Sequence, residues 1–205
     1  MASVKRESTC FVIMRYGETA EEKVKANIVY DEFIKRATID AGFVAEKIDR
    51  ADIGSANKGS QNKFIFTKLA SADLVIADLS GGSRSVYYEL GVRHALRSKK
   101  TLVIIRDGEE VAFALKNDQP FYTYEDITTT NILVTERERL AKKIAQKVDD
   151  TNDETDNPVF TFNENLQDFT LRIPPSDATK ELQSKNEQLQ AENQQFICLI
   201  NKTFK

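Results

Sequence analysis

The sequence predicts an α/β domain built on a doubly wound parallel sheet, and three observations carry that prediction. Short, continuously apolar runs recur at Cys10–Met14, 73–79 and 101–105. Longer amphipathic stretches separate them, and glycine-containing turns at Gly42, Gly54, Gly81-Gly82 and Gly108 punctuate the alternation. Strands that are apolar on both faces belong to parallel sheets covered by helices on both sides. The expected architecture is therefore of the Rossmann or flavodoxin-like kind, with a C-terminal helical, coiled-coil-like appendage.

Taken in order, Cys10–Met14 reads as a strand buried on both faces. A helix is expected over 22–41, where Val24, Ile28, Phe33, Ile34 and Ala37 are spaced for one face. Gly42 stops it as a C-terminal glycine does. Residues 43–48 read as the second strand and 49–54 as its loop. A helix over 61–70 is expected to bury Phe64, Ile65, Leu69 and the stem of Lys68. The strongest strand is 73–79, followed by a Ser-Gly-Gly-Ser turn and a helix over 85–97. Residues 101–105 give the next strand, ended by Asp107-Gly108, and a charged helix over 135–147 closes the set. Its charges read as a solvated face. These elements form one domain over 1–148.

The composition changes at Asp149. Residues 149–158, DDTNDETDNP, read as an acidic linker. Residues 159–175 read as a short strand-like segment, from the alternation of Val159, Phe160 and Phe162 and then of Phe169, Leu171 and Ile173. From 176 to 205 the pattern is helical: Leu182, Leu189 and Phe196 recur every seven residues, with Asn186, Asn193 and Ile200 on the complementary seam. That is a coiled-coil-like oligomerisation helix, and a homo-oligomer is the expected assembly. A surface helix packed on its own domain is the competing reading, because only about three heptads are present.

Bulk properties narrow the function classes. With 205 residues, 40% hydrophobic and 30% charged, the chain can bury a sizeable core. A net charge of -3 with interspersed signs gives no basic footprint for nucleic-acid backbones. No apolar run approaches the length of a membrane span, and the first ten residues lack the apolar stretch of a signal peptide. The chain is accordingly read as cytoplasmic, with Cys10 and Cys198 as idle thiols in a reducing compartment rather than metal ligands.

In parallel sheets of this type, ligands bind outside the carboxyl ends of the strands. That rule selects Arg15-Tyr16-Gly17, residues 49–52, residues 78–85 and residues 107–109. In the third segment a buried strand delivers Asp78, a small-residue turn offers backbone N–H groups, and a helix start adds its positive dipole end. Glu89 follows in the first turns of that helix. Two carboxyl groups at one strand–helix junction suit a nucleophile and a partner that positions hydroxyls. The plainer alternatives are an aspartate that bonds its own turn and a glutamate favoured by the helix dipole.

The segments CFVIMRYG (10–17), YDEFIK (30–35), Arg50-Ala51-Asp52, ADLVIADLSG (72–81) and VYYELGVRHAL (86–96) resemble the nucleoside 2-deoxyribosyltransferase-like family, a Rossmann-like group related to TIR domains that cleave NAD. The resemblance spans roughly residues 9–125. It implies that Glu89 attacks the anomeric carbon of a nucleoside, that Asp78 contacts the sugar or base, and that Tyr16 lines the pocket. Arg15, Gly17, Asp52, Ser80, Gly81, Ser83, Arg84 and Ser85 complete the expected substrate-binding set. Cleavage of an N-glycosidic bond passes through an oxocarbenium-like centre that a carboxylate stabilises or traps. Two departures stand out. Arg15-Tyr16 replaces a proline-containing turn, and Ser83-Arg84-Ser85 replaces asparagine-proline-asparagine. Arg84 thereby favours a nucleotide or dinucleotide over a plain nucleoside, while the lost asparagines fit a non-catalytic domain. His94, the only histidine, reads as a structural residue rather than a base.

Three functions follow as expectations: an N-glycosidase acting on NAD or a related nucleotide, as an oligomeric defence or signalling effector; a metabolic deoxyribosyltransferase or deoxynucleotide hydrolase; or a nucleotide-sensing module without catalysis. NAD enters as a substrate, and neither a cofactor nor a metal is called for.

Overall fold

A computed structural model describes residues 6–53, 58–116, 120–151, 155–163 and 165–169. The strands are β1 (Cys10–Met14), β2 (Ile48–Arg50), β3 (Leu74–Asp78), β4 (Thr101–Arg106) and β5 (Phe121–Tyr124). They form one sheet in the order β2-β1-β3-β4-β5, and every pairing is parallel. This is the flavodoxin-like order, in which the chain reverses its direction of winding between β1 and β3.

Alternation along the strands divides the core into two layers. Val12, Leu74, Ile76, Leu102 and Ile104 face one side with Tyr30, Phe33, Ile34, Ala37, Leu140 and Ile144. Phe11, Ile13, Val75, Ala77, Val103 and Ile105 face the other with Ile65, Leu69, Val86 and Leu90. The first layer is covered by α1 (Ala20–Ile28), a π-helical segment (Val29–Ile34), α2 (Lys35–Asp40) and α6 (Thr130–Asp149). The second is covered by α3 (Lys58–Ser71) and α4 (Arg84–Leu96). Two short helices, α5 (Phe113–Lys116) and α7 (Pro158–Thr161), complete the described elements.

The helix expected over 22–41 forms, and its expected inward face holds at Phe33, Ile34 and Ala37 but not in the first turns. Val24 and Ile28 are exposed, and the buried positions are Ala26, Tyr30, Phe33, Ile34 and Ala37. The cause is the π-helical segment, where the Lys35 N–H donates to the Tyr30 carbonyl, five residues back. The extra residue shifts the helical phase between α1 and α2. The second strand is also displaced: Phe43 makes only an isolated bridge with Arg6, Ala45–Lys47 is a 3₁₀ turn, and β2 begins at Ile48.

The fifth strand is not among the elements expected from sequence, although Pro120 followed by Phe121-Tyr122-Thr123-Tyr124 carries the aromatic and β-branched composition of a short edge strand. The helix expected over 135–147 starts earlier, where the Thr129 hydroxyl caps α6 by accepting from the Ile132 N–H at 3.3 Å.

Beyond α6, the acidic segment is docked at its end. The Asp156 carboxylate accepts from the Lys100 N–H at 2.6 Å, and the Asn157 amide donates to the Arg97 carbonyl at 2.7 Å. Asn157 also caps α7, which stands at the start of the segment expected to be strand-like and buries Phe160. The seam of 176–205 and residues 170–175 lie outside the described residues. Among those described, no helix is long and apolar enough to cross a membrane, and no group of His, Cys, Asp and Glu is arranged to hold a metal ion.

The amino-terminal rim of the sheet is held by Arg93 of α4, which is fully buried. Its guanidinium donates to the carbonyls of Leu69, Ala72, Lys99 and Lys100 and to the Thr101 hydroxyl, at 2.8–3.2 Å. One cation thus satisfies carbonyls at the end of α3 and in the turn before β4 that helix and sheet geometry leave open.

Candidate functional site

A cleft of about 160 Å³ opens at the carboxyl ends of β1 and β3, where the winding reverses. It is bordered by Arg15 and Gly17 after β1, by Lys25, Ala26 and Val29 of the helix above, by Asp78, Ser80 and Gly81 after β3, and by Arg106 and Tyr124. Of the residues expected to bind substrate, Arg15, Gly17, Asp78, Ser80 and Gly81 come together here. Glu89, Tyr16, Asp52, Ser83, Arg84 and Ser85 lie outside the lining of this cleft.

Asp78 ends the fully buried strand β3, level with Met14 of β1 and Ile104 of β4. Its carboxylate turns back on its own loop. Oδ1 accepts from the Ser80 N–H at 3.0 Å and the Ser80 hydroxyl at 2.6 Å, and Oδ2 accepts from the Tyr124 hydroxyl at 3.1 Å. Burial pushes the Asp78 carboxyl above its ordinary range even though these three donors work against that shift. The Ser80 hydroxyl oxygen also accepts from the Arg106 N–H at 2.9 Å, tying the β3 loop to the end of β4. Neither Tyr124 nor Arg106 is among the site residues the sequence predicts. Tyr124 belongs to the unanticipated strand, and Arg106 lies one residue past the apolar run.

The turn after Ser80 uses two successive left-handed glycines, Gly81 (φ +75°) and Gly82 (φ +61°). The Gly81 N–H donates to the Glu109 carboxylate, whose other oxygen accepts from the Arg106 guanidinium at 2.8 Å. Across the cleft, Arg15 pairs with Glu22 at 2.7 Å, and Glu22 belongs to a capping box with Thr19 at the start of α1. Gly17 (φ +90°) is required for this approach: a Cβ there would come within 2.5 Å of Glu22 Cβ.

A second cluster forms beside the cleft. Arg50, at the end of β2, is 4% exposed, and its guanidinium lies between Tyr30 and Tyr16, 4.5 and 5.2 Å from their ring centroids. It donates to Asp52 and, at 2.9 Å, to the Asn27 side chain. Asp52 and Tyr16 are thus engaged with Arg50.

Glu89 stands on α4, half-buried, and among the described residues no hydrogen bond or ion pair engages it. Desolvation alone pushes its carboxyl up to about 7. Ser83 is the N-cap residue of α4, its hydroxyl 3.0 Å from that of Ser85, and Arg84 is exposed. His94 is buried, and desolvation pushes it down to about 4.

The class defined by this geometry is a flavodoxin-like parallel α/β domain with a cleft at its topological switch point, lined by both charged and apolar residues. No family model and no curated protein matches the chain.

Proposed function

We propose that the domain binds a nucleotide of the NAD type at the switch-point cleft and cleaves its N-glycosidic bond, with Glu89 as the nucleophile. The observation that carries this reading is Glu89 itself: a half-buried carboxyl without a partner, brought to about 7 by desolvation. Folding tolerates such a group at a cost, and a carboxyl poised near neutrality is what covalent or acid–base chemistry requires. The cleft supplies complementary features for a phosphorylated substrate in Arg15, Arg106, Lys25 and the Gly81 turn. In the reaction, the ionised Glu89 carboxylate forms a bond to the anomeric carbon as the bond to the base breaks. Water then attacks the anomeric carbon, the bond to Glu89 breaks to restore the carboxylate, and the attacking water gives its surplus proton to solvent as the free sugar leaves.

The C-terminal segment 176–205 is assigned to self-association, which makes the active form a homo-oligomer. A cytoplasmic defence or signalling effector is the role that accompanies this assignment.

A second reading, a nucleotide sensor without catalysis, is favoured by one observation: Asp78 is already committed to Ser80 and Tyr124, and Glu89 stands outside the cleft's lining. The two are separated by chromatography of NAD and of deoxynucleotides incubated with the protein and with Glu89→Gln. Nicotinamide release that disappears in the variant supports the glycosidase. Base release from deoxynucleotides alone moves the assignment to a metabolic deoxyribosyltransferase or hydrolase. Binding of NAD without release of any base moves it to the sensor.

A further inference from the structure

We infer that Gly81, Arg106 and Arg15 form a seat for a phosphate or pyrophosphate group, and that Glu109 occupies this seat as an internal anion which the ligand displaces. The inference rests on the nucleotide reading above only for the identity of the ligand.

One carboxylate spans two kinds of donor here. Glu109 Oε2 accepts the backbone N–H of Gly81, and Oε1 accepts from two nitrogens of the Arg106 fork. A backbone N–H on a left-handed glycine, facing an arginine fork, is the donor set that recognises tetrahedral oxyanions. Arg15 completes the surround. A Cβ on Gly81 would fall 3.0 Å from Arg15 Cδ and 3.2 Å from its Nη1, so the Arg15 side chain lies directly against this turn. Lys25 borders the same cleft. The nearby carboxylates are accounted for: Glu22 pairs with Arg15, Asp126 with Arg106, and Asp78 with Ser80 and Tyr124.

Glu109 reaches the seat from a different strand end, 28 residues along the chain from Gly81. Arg106 alone would satisfy a carboxylate three residues away. The additional contact to Gly81 closes the β4 loop onto the β3 loop at the rim of the cleft. Displacement needs only the Glu109 side chain to swing out: the Asp107 N–H stays bonded to the Tyr124 carbonyl at 2.8 Å, while the turn at Gly108 (φ +78°) is open, with nothing within 4 Å of a Cβ position there. A phosphate group offers the same donors more charge than a carboxylate does, and it takes the seat by competition.

The test titrates inorganic pyrophosphate into the full chain and into Glu109→Ala by isothermal calorimetry. If Glu109 holds the seat nine-tenths of the time, its removal tightens binding about tenfold. Adding Arg106→Gln to Glu109→Ala is expected to abolish the gain. Glu109→Gln keeps the shape and lowers the charge, and it carries the same comparison if the alanine variant fails to fold. Unchanged or weaker pyrophosphate binding in a folded Glu109 variant overturns the proposal and leaves Glu109 as a loop brace. The proposal and the glycosidase reading fail separately, because tighter pyrophosphate binding without base release removes the chemistry and keeps the seat.

Discussion

The Tyr124 hydroxyl donates to Asp78 Oδ2 at 3.1 Å and lies 3.0 Å from the Ser80 hydroxyl, so the end of β5 fixes a carboxylate that belongs to β3, two strands away. The Ser80 and Tyr124 hydroxyls each donate to the Asp78 carboxylate, so the three side chains close on one another at the floor of the cleft. Tyr124→Phe keeps the ring, which packs 4.9 Å from Phe33, and removes only the donor. Loss of one buried bond to a charged group is expected to cost about 1.5–3 kcal/mol. Chemical denaturation checks the figure. A loss below about 0.5 kcal/mol would mean that water replaces the hydroxyl.

Glu89 and His94 lie on one helix and impose opposite pH slopes on stability. The Glu89 carboxyl rises from 4.5 in the unfolded chain to about 7 in the folded one. The folded state therefore holds that proton more tightly, and stability falls as pH rises through this window. His94 falls from 6.5 to about 4, so the unfolded state takes up its proton first, and stability falls as pH drops through that window. In the wild type the two slopes largely offset each other. Glu89→Gln removes one of them. Relative to wild type, the variant is expected to melt higher at pH 8, to converge near pH 4, and to reveal the His94 slope between. Thermal melts at pH 4, 6 and 8 check this, and equal melting temperatures at pH 8 would refute the desolvation of Glu89.

Arg93→Met removes a buried guanidinium that serves five acceptors at the amino-terminal rim. Methionine fills part of the volume and leaves buried carbonyls without donors, each costing about 1–3 kcal/mol. The expected loss is at least about 3 kcal/mol, read as a lower denaturation midpoint. A loss under 1 kcal/mol would show that these carbonyls find water instead.

Much of the sheet could be read in the sequence because burial on both faces leaves no ambiguity of period: β1, β3 and β4 stand as unbroken apolar runs. Edge strands carry less signal. The residues of β2 are Ile48, Asp49 and Arg50, two of them charged, and β5 alternates exposed Phe121 with buried Tyr124. Either reads as a strand only once a neighbour is in place to pair with it. At the site, Asp78 and the glycine turn followed from the rule that ligands sit at carboxyl ends. Arg50 and Glu109 lie in segments that the same rule selects, whereas Arg106 and Tyr124 do not, because each acquires its meaning from a partner far along the chain: Ser80 for Arg106 and Asp78 for Tyr124. Arg93 sits inside a recognised motif, yet its role depends on carbonyls supplied by two other segments, the end of α3 and the turn before β4.

The π-helical segment has a consequence for how the cleft changes over time. An α-helix advances by 100° per residue, so the one-residue excess at Val29–Ile34 sets the rotation of α1 independently of α2. Deleting one residue there would restore regular winding and turn the upstream turn about its axis. Lys25, Ala26 and Val29 would swing away from the cleft while Ala37 and Ala41 kept their seats on the sheet. Ala26 and Tyr30 are also buried, so the same segment that shapes the wall of the site seals part of the core, and the winding of this one rod ties the form of the cleft to the packing beneath it.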